Sequence, residues 1–183
     1  MLDLFWHILL AGLLLLGLGA GFLLDRAGWR RALEAFPRSE TAAYVTMGLG
    51  GAWFLYKMYF LGPEDNLFGP KTNLVFVAVF GAGWIGSFVV LKEFLAVRGL
   101  VALALMASFF ALTAGQTHYE AGVLFFKAMV YLVIVASIYL GVAPYRLRDL
   151  LAWLHRSTQR PKVAGGVLAG VGLVLSLVAF SAP

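Results

Sequence analysis

The sequence predicts an all-α, polytopic integral membrane protein: a bundle of six transmembrane helices with short interfacial amphipathic helices. Three observations predict this class. Six apolar stretches, each close to the roughly 20 residues needed to cross about 30 Å of hydrocarbon, occupy most of the 183 residues. Hydrophobic residues make up 62% of the chain and charged residues 13%, with a mean hydropathy of +0.89. Soluble domains carry roughly 25% charged residues, so this chain has too little polar surface to coat a water-soluble globule. Finally, the basic residues gather in alternate connections between the apolar stretches.

In order, the spans are Leu4–Leu24, Ala42–Leu61, Leu74–Leu91, Leu100–Gln116, Val123–Val142 and Val163–Phe180. The first lacks the basic flank that precedes a secretory signal core. Asp3, Trp6 and His7 stand there instead, and the stretch is read as a retained helix. No connection is long enough to fold as an extramembrane domain, so residues 1–183 form a single transmembrane domain.

Charge sets the expected orientation. Arg26, Arg30, Arg31 and Arg38 follow the first span, Lys92 and Arg98 the third, and Arg146, Arg148, Arg156, Arg160 and Lys162 the fifth. Lys71 is the basic residue on the opposite side, and Lys57 and Lys127 lie within spans. The positive-inside bias therefore places the odd-numbered connections in the cytoplasm and both termini on the non-cytoplasmic side of a cell (inner) membrane. The net charge of +5 reports this orientation, and no nucleic-acid partner is expected.

Two cytoplasmic connections are amphipathic. In the first, Trp29, Leu33 and Phe36 recur at helical spacing with Arg30, Arg31 and Glu34 opposite, until Pro37 ends the run. In the fifth, Pro144 suits a first helical turn, Leu147, Leu150, Leu151 and Leu154 form a stripe, and Arg146, Arg148, Asp149 and Arg156 take the wetter face. Interfacial anchoring is the simplest role, with anionic headgroups contributing about 1 kcal/mol per exposed basic residue; docking of a partner subunit through Arg146 and Arg148 is the alternative.

The short Lys92–Gly99 connection is expected to turn at Gly99, with Glu93 and Arg98 pairing locally. On the outer side, Gly62-Pro63-Glu64-Asp65-Asn66 and Gly69-Pro70 carry turn residues, and Asn73 is placed to cap the third span. The connection through His118, Tyr119, Glu120 and Gly122 is tight enough to make its flanking spans antiparallel neighbours.

Small residues recur four apart within the spans: Gly17 with Gly21, Gly48 with Ala52, Ala82 with Gly86, Gly166 with Gly170. Lipid tails are as apolar as leucine, so close packing through such residues drives membrane helices together. These faces are expected mainly to hold the chain's own bundle. The terminal helices, where Gly17, Gly19 and Gly21 face one way and Gly165, Gly166, Gly170 and Gly172 another, are the candidates for self-association or for contact with other membrane subunits, through Gly17, Gly21, Gly166 and Gly170 above all.

Ionisable residues within spans are the candidates for chemistry. His7, Lys57, Gln116, His118, Glu120 and Lys127 all fall in the outer layer. One reading is a pocket for an anionic headgroup, a quinone head or a small anion, with the lysines supplying charge and histidine a proton-exchanging donor. The other is that each lysine snorkels to the surface along its stem, amid a belt containing Trp6, Tyr56, Tyr59 and Tyr119. The second needs fewer assumptions and is preferred.

No cofactor is specified by the sequence. His7 and His118 are the one same-side pair for a bis-histidine haem, too poor a signal for haem to be expected. Absence of cysteine excludes disulfides, thiolate metal sites and thiol nucleophiles in this chain. No nucleotide-binding loop, His-Glu-x-x-His or Gly-x-Ser-x-Gly motif occurs. No acidic residue lies mid-span, which weighs against carboxylate proton relays and carboxylate sodium sites; Thr46, Ser87, Ser108, Thr113 and Ser137 are the mid-span polar groups.

The expected function is a non-catalytic accessory or structural subunit of a larger membrane complex, with the lipid bilayer and anionic headgroups as its first partners. The alternatives are a small-solute transporter or channel, and a lipid- or quinone-interacting membrane enzyme or cofactor carrier.

Overall fold

A computed structural model describes residues 2–62, 72–91 and 93–181 of the chain. These form eight α-helices: α1 (Leu2–Leu24), α2 (Ala27–Ala35), α3 (Glu40–Tyr59), α4 (Thr72–Val90), α5 (Leu95–Ala114), α6 (Ala121–Val142), α7 (Tyr145–Leu154) and α8 (Gln159–Ser181), with no strand among the described residues. Five of them, α1, α4, α5, α6 and α8, are long and apolar enough to cross a membrane. At 20 residues α3 matches them in length, but Glu40, Thr41, Thr46, Lys57 and three glycines dilute its hydropathy.

Helices extend past the apolar runs that announced them. The third apolar run begins at Leu74 and its helix at Thr72, the fourth at Leu100 and Leu95, and the last at Val163 and Gln159. The hydrophobic pattern marks where hydrocarbon would lie, whereas a helix ends where its terminal N–H and C=O groups find other partners. Ser39 provides such a partner for α3, its Oγ accepting from Ala42 N–H at 3.2 Å.

Three local expectations are corrected. Gly99 does not make the turn before α5; it lies within the helix, where an added Cβ would come within 2.6 Å of the Thr46 and Met47 backbone. The turn falls instead on Phe94, held in the left-handed region at φ 56°, which costs a non-glycine residue roughly 1 kcal/mol or more. Nor does Glu93 pair with Arg98, whose Nε is buried without a hydrogen-bond partner. Asn73 caps the neighbouring helix, not its own: its Nδ2 donates to the Tyr59 and Leu61 carbonyls at the end of α3, at 3.0 and 3.2 Å. The turn segment beyond Gly62, together with Lys71 and Lys92, lies outside the described residues.

α1 and α8 pack antiparallel along their whole length, with α5 and α6 beside them. Their shared core is Leu4, Ile8, Ala111, Val123, Phe126, Val130, Leu175 and Ala179. α3 runs parallel to α5, and α4 packs on the outer side of α3. A second, smaller cluster of Ala43, Leu95 and Ala96, flanked by Phe36, Met47 and Phe88, closes the end where α3 and α5 begin.

At that same end the first, third and fifth connections meet. Guanidinium groups of Arg38 and Arg148 lie 5.8 and 5.9 Å from the Phe94 ring, and Glu34 Oε1 of α2 lies 3.7 Å from His155 Nδ1 at the end of α7.

Candidate functional site

A cleft lies between α3, α4 and α5. Its shape begins with Gly51, where a Cβ would fall 2.1 Å from Trp84 Nε1, so only glycine admits the indole. Trp84 fills that notch and donates to the Met47 carbonyl at 2.9 Å, tying α4 to α3 by one side chain. Phe54 and Phe80 meet edge-to-face at 5.3 Å, and Tyr44 stacks on Phe88 at 5.6 Å. On the other flank α3 sits close to α5: Thr46 Oγ1 is 2.8 Å from its own Ala42 carbonyl and 3.0 Å from that of Ala96 on α5, and Trp53 stacks on Phe110 at 5.3 Å.

Because α4 leans on α3 and makes no comparable contact with α5, a cavity of about 820 Å³ is left between them. This lies within the roughly 300–1,000 Å³ of small-molecule sites. Phe54, Leu55, Met58, Val79, Phe80, Leu105, Met106 and Phe109 supply most of its wall. Lys57 is the one ionisable group on it, with its ammonium 5.5 and 5.7 Å from the rings of Phe109 and Phe110 and no carboxylate partner among the described residues.

The other outer-layer residues lie elsewhere. Lys127 Nζ donates to the His118 carbonyl at 2.7 Å and sits 4.8 Å over the Tyr119 ring, its stem packed against Gly115. Glu120 Oε2 is 3.9 Å from His118 Nδ1, beyond hydrogen-bond range. The α5–α6 turn thus gathers His118, Glu120 and Lys127, with Gln116 exposed next to them. His7 Nδ1 donates to the Asp3 carbonyl of its own helix at 2.5 Å. No hydrogen bond, ion pair or ring contact joins it, or Lys57, to that cluster among the described residues. Nor is there a group of three or more metal-ligating side chains among them.

Glycine spacing singled out pairs that differ from those at the closest approach. The α1–α8 seam uses Gly12 and Gly19 against Gly172 and Gly165, seven apart on each helix, with Leu16, Ala169 and Ser176 completing the pattern. Alternating steps of four and three are the repeat of left-handed packing over a long contact, which a search for pairs four apart does not detect. Gly21 instead receives the Trp29 indole, whereas added Cβ atoms at Gly17, Gly166 and Gly170 would meet nothing within 4 Å. Those three positions face outward from the α1–α8 pair.

At the basic end, Arg148 donates through Nε and Nη2 to Asp149 Oδ1 at 3.0 and 2.7 Å, and Arg146 lies 5.4 Å over the Tyr145 ring. Sequence reasoning passed over His155, whose side chain is only 2% exposed and donates through Nδ1 to the Leu151 carbonyl at 2.9 Å. Its signal was present: His155 lies four residues beyond Leu151, on the buried stripe of α7. Trp84 carried no comparable signal, because its role depends on a notch 33 residues away.

No protein-family model, no curated protein and no solved structure matches the chain.

Proposed function

We propose that the protein is a non-catalytic accessory or structural subunit of a larger membrane assembly, in which α4 is the docking element. The observation that carries this reading is how little of α4 the chain covers. Of its 19 residues only Thr72 and Ser87 are buried, against six in α5, and beyond its first turn, where Asn73 donates to the Tyr59 and Leu61 carbonyls, Trp84 supplies the side-chain hydrogen bond that ties it to α3. Gly86 on this helix lies off the cleft and has open space where a Cβ would stand. A helix so loosely attached, with a small residue free, suits contact with another chain through close packing.

In this reading α3 is the sixth span. Its support is that α3 is about 30 Å long at 1.5 Å per residue and runs parallel to α5 from the same end. α2 and α7 then lie at the cytoplasmic interface of the inner membrane, their basic faces toward anionic headgroups, and the termini are outside. The mutual contacts of the three arginine-rich connections are what a common side requires.

Two experiments test this. Extraction in mild detergent followed by mass measurement is expected to yield a complex heavier than one chain, either with a partner or with a second copy. A stable monomer with nothing bound overturns the subunit reading. Topology is read separately: the chain lacks cysteine, so single Glu40→Cys and Phe60→Cys variants label cleanly. They are expected to react from opposite sides of the membrane, and labelling from one side would remove α3 from the spans.

A further inference from the structure

We propose that the α3–α4–α5 cleft is a lateral site for one anionic bilayer phospholipid, with an acyl chain along the cleft and the phosphate on the Lys57 ammonium. The proposal rests on the reading of α3 as a membrane span.

Four features select this occupant. The first is length: the wall runs from Met47 along α3 past Lys57 to Leu61 just beyond it, and along α4 as far as Leu91, and its stretch from Lys57 to Met47 alone is about 15 Å, half of the roughly 30 Å hydrocarbon core and room for an extended acyl chain. The second is position, since α3 ends at Tyr59, two residues beyond Lys57, so the ammonium sits at the level where headgroups begin. Charge is the third. Lys57 faces two aromatic rings and has no carboxylate partner among the described residues, so a cation beside hydrocarbon awaits an anion. The fourth is volume: about 820 Å³ lies within the range of small-molecule sites and leaves room for an acyl chain. Entry is from the side, through the gap that α4 leaves by standing off from α5.

The site can be blocked without disturbing the fold. Gly83 lines the cleft and has nothing within 4 Å of an added Cβ, so Gly83→Leu projects into the space an acyl chain would use. Gly86 on the same helix is equally open but lies off the cleft, and Gly86→Leu is its control.

The test is native mass spectrometry of the full chain in mild detergent, supplied with phosphatidylglycerol or with phosphatidylcholine of the same acyl chains. Retention is read on the mass of a single copy whether or not a partner is bound, so failure of the subunit reading leaves this result intact. The expected result is about tenfold stronger retention of phosphatidylglycerol, equivalent to about 1.4 kcal/mol. Lys57→Gln is expected to bring the two lipids to parity and Lys57→Arg to restore the preference. Gly83→Leu should lower retention of both at least fivefold, and Gly86→Leu should leave it unchanged. Size-exclusion chromatography of each variant confirms that the comparison is between folded proteins.

Equal retention of both lipids by the wild type overturns the proposal, as does undiminished binding in Gly83→Leu. Displacement of the lipid by millimolar inorganic phosphate would also overturn it, assigning Lys57 to a soluble anion instead of a membrane one.

Discussion

The α1–α8 pair and the α3–α4 pair are both antiparallel contacts between long helices, yet they are built in opposite ways. Along α1 and α8, glycines at 12, 19, 165 and 172 bring the two backbones close together, with only Ser176, Phe22 and Leu16 side-chain atoms beside the backbone at the points of closest approach. Between α3 and α4, one glycine at 51 receives one large indole, and the rest of the contact is aromatic apart from the Asn73 bonds at one end. The first device makes a continuous seam, the second a hinge-like peg. Backbone contact excludes both lipid and partners, whereas a peg leaves a cleft on one side and an uncovered helix on the other. The difference teaches where to look for function in a membrane bundle: away from its glycine seam.

The sharpest way to break the contrast is Gly165→Leu. A Cβ there falls 2.8 Å from the Gly19 carbonyl and 2.9 Å from Leu23 N, so the seam must part along its length. The expected loss is about 3 kcal/mol, the upper part of the overpacking range, read as a lower denaturant or thermal midpoint in detergent. Next in size is Trp84→Ala, which removes the peg and its bond to Met47. Since Trp84 is only half-buried, the loss should be about 2 kcal/mol, below the 3–5 of a fully buried aromatic. Faster proteolysis or hydrogen exchange confined to α4 would identify the detached element, and a uniform change would contradict the peg.

Thr46→Val tests the α3–α5 side with a nearly isosteric change. Loss of the hydroxyl contact with the Ala96 carbonyl is expected to cost about 0.6 kcal/mol, the average for such interhelical bonds in membranes. The smallest effect belongs to Gly166→Leu, one residue from the seam position and facing open space. It should leave the isolated chain within about 0.5 kcal/mol of wild type, so any loss of a co-purifying partner in that variant would place an interface on α8.

The fold was legible in the sequence to a considerable depth, and the reason is specific to membrane chains. Lengths of apolar runs are set by the bilayer, so the five membrane-length apolar helices were read within a few residues of their ends, and α2 and α7 emerged from the periodicity of Trp29, Leu33 and Phe36 and of Leu147, Leu151 and Leu154. What the sequence withheld is direction around each helix axis. In water, an apolar stripe points to the core; here lipid-facing and core-facing positions are equally apolar, and α3, α4 and α6 have no dominant polar face. Lys57 and Lys127 therefore looked like members of one layer, although the packing of α3 on α5 turns the first toward Phe109 and Phe110 while the second reaches the His118 carbonyl. Spacing of four likewise pointed to Gly166 and Gly170, when the seam follows Gly165 and Gly172.

The most extensive helix contact among the described residues joins the first helix of the chain to the last. Between the end of α1 at Leu24 and the start of α8 at Gln159, well over a hundred residues must be translated. At about 5–20 residues per second this takes on the order of 7–30 s. For that interval the grooved face of α1 is without its mate, so the most extensive contact in the fold is also among the last that can form.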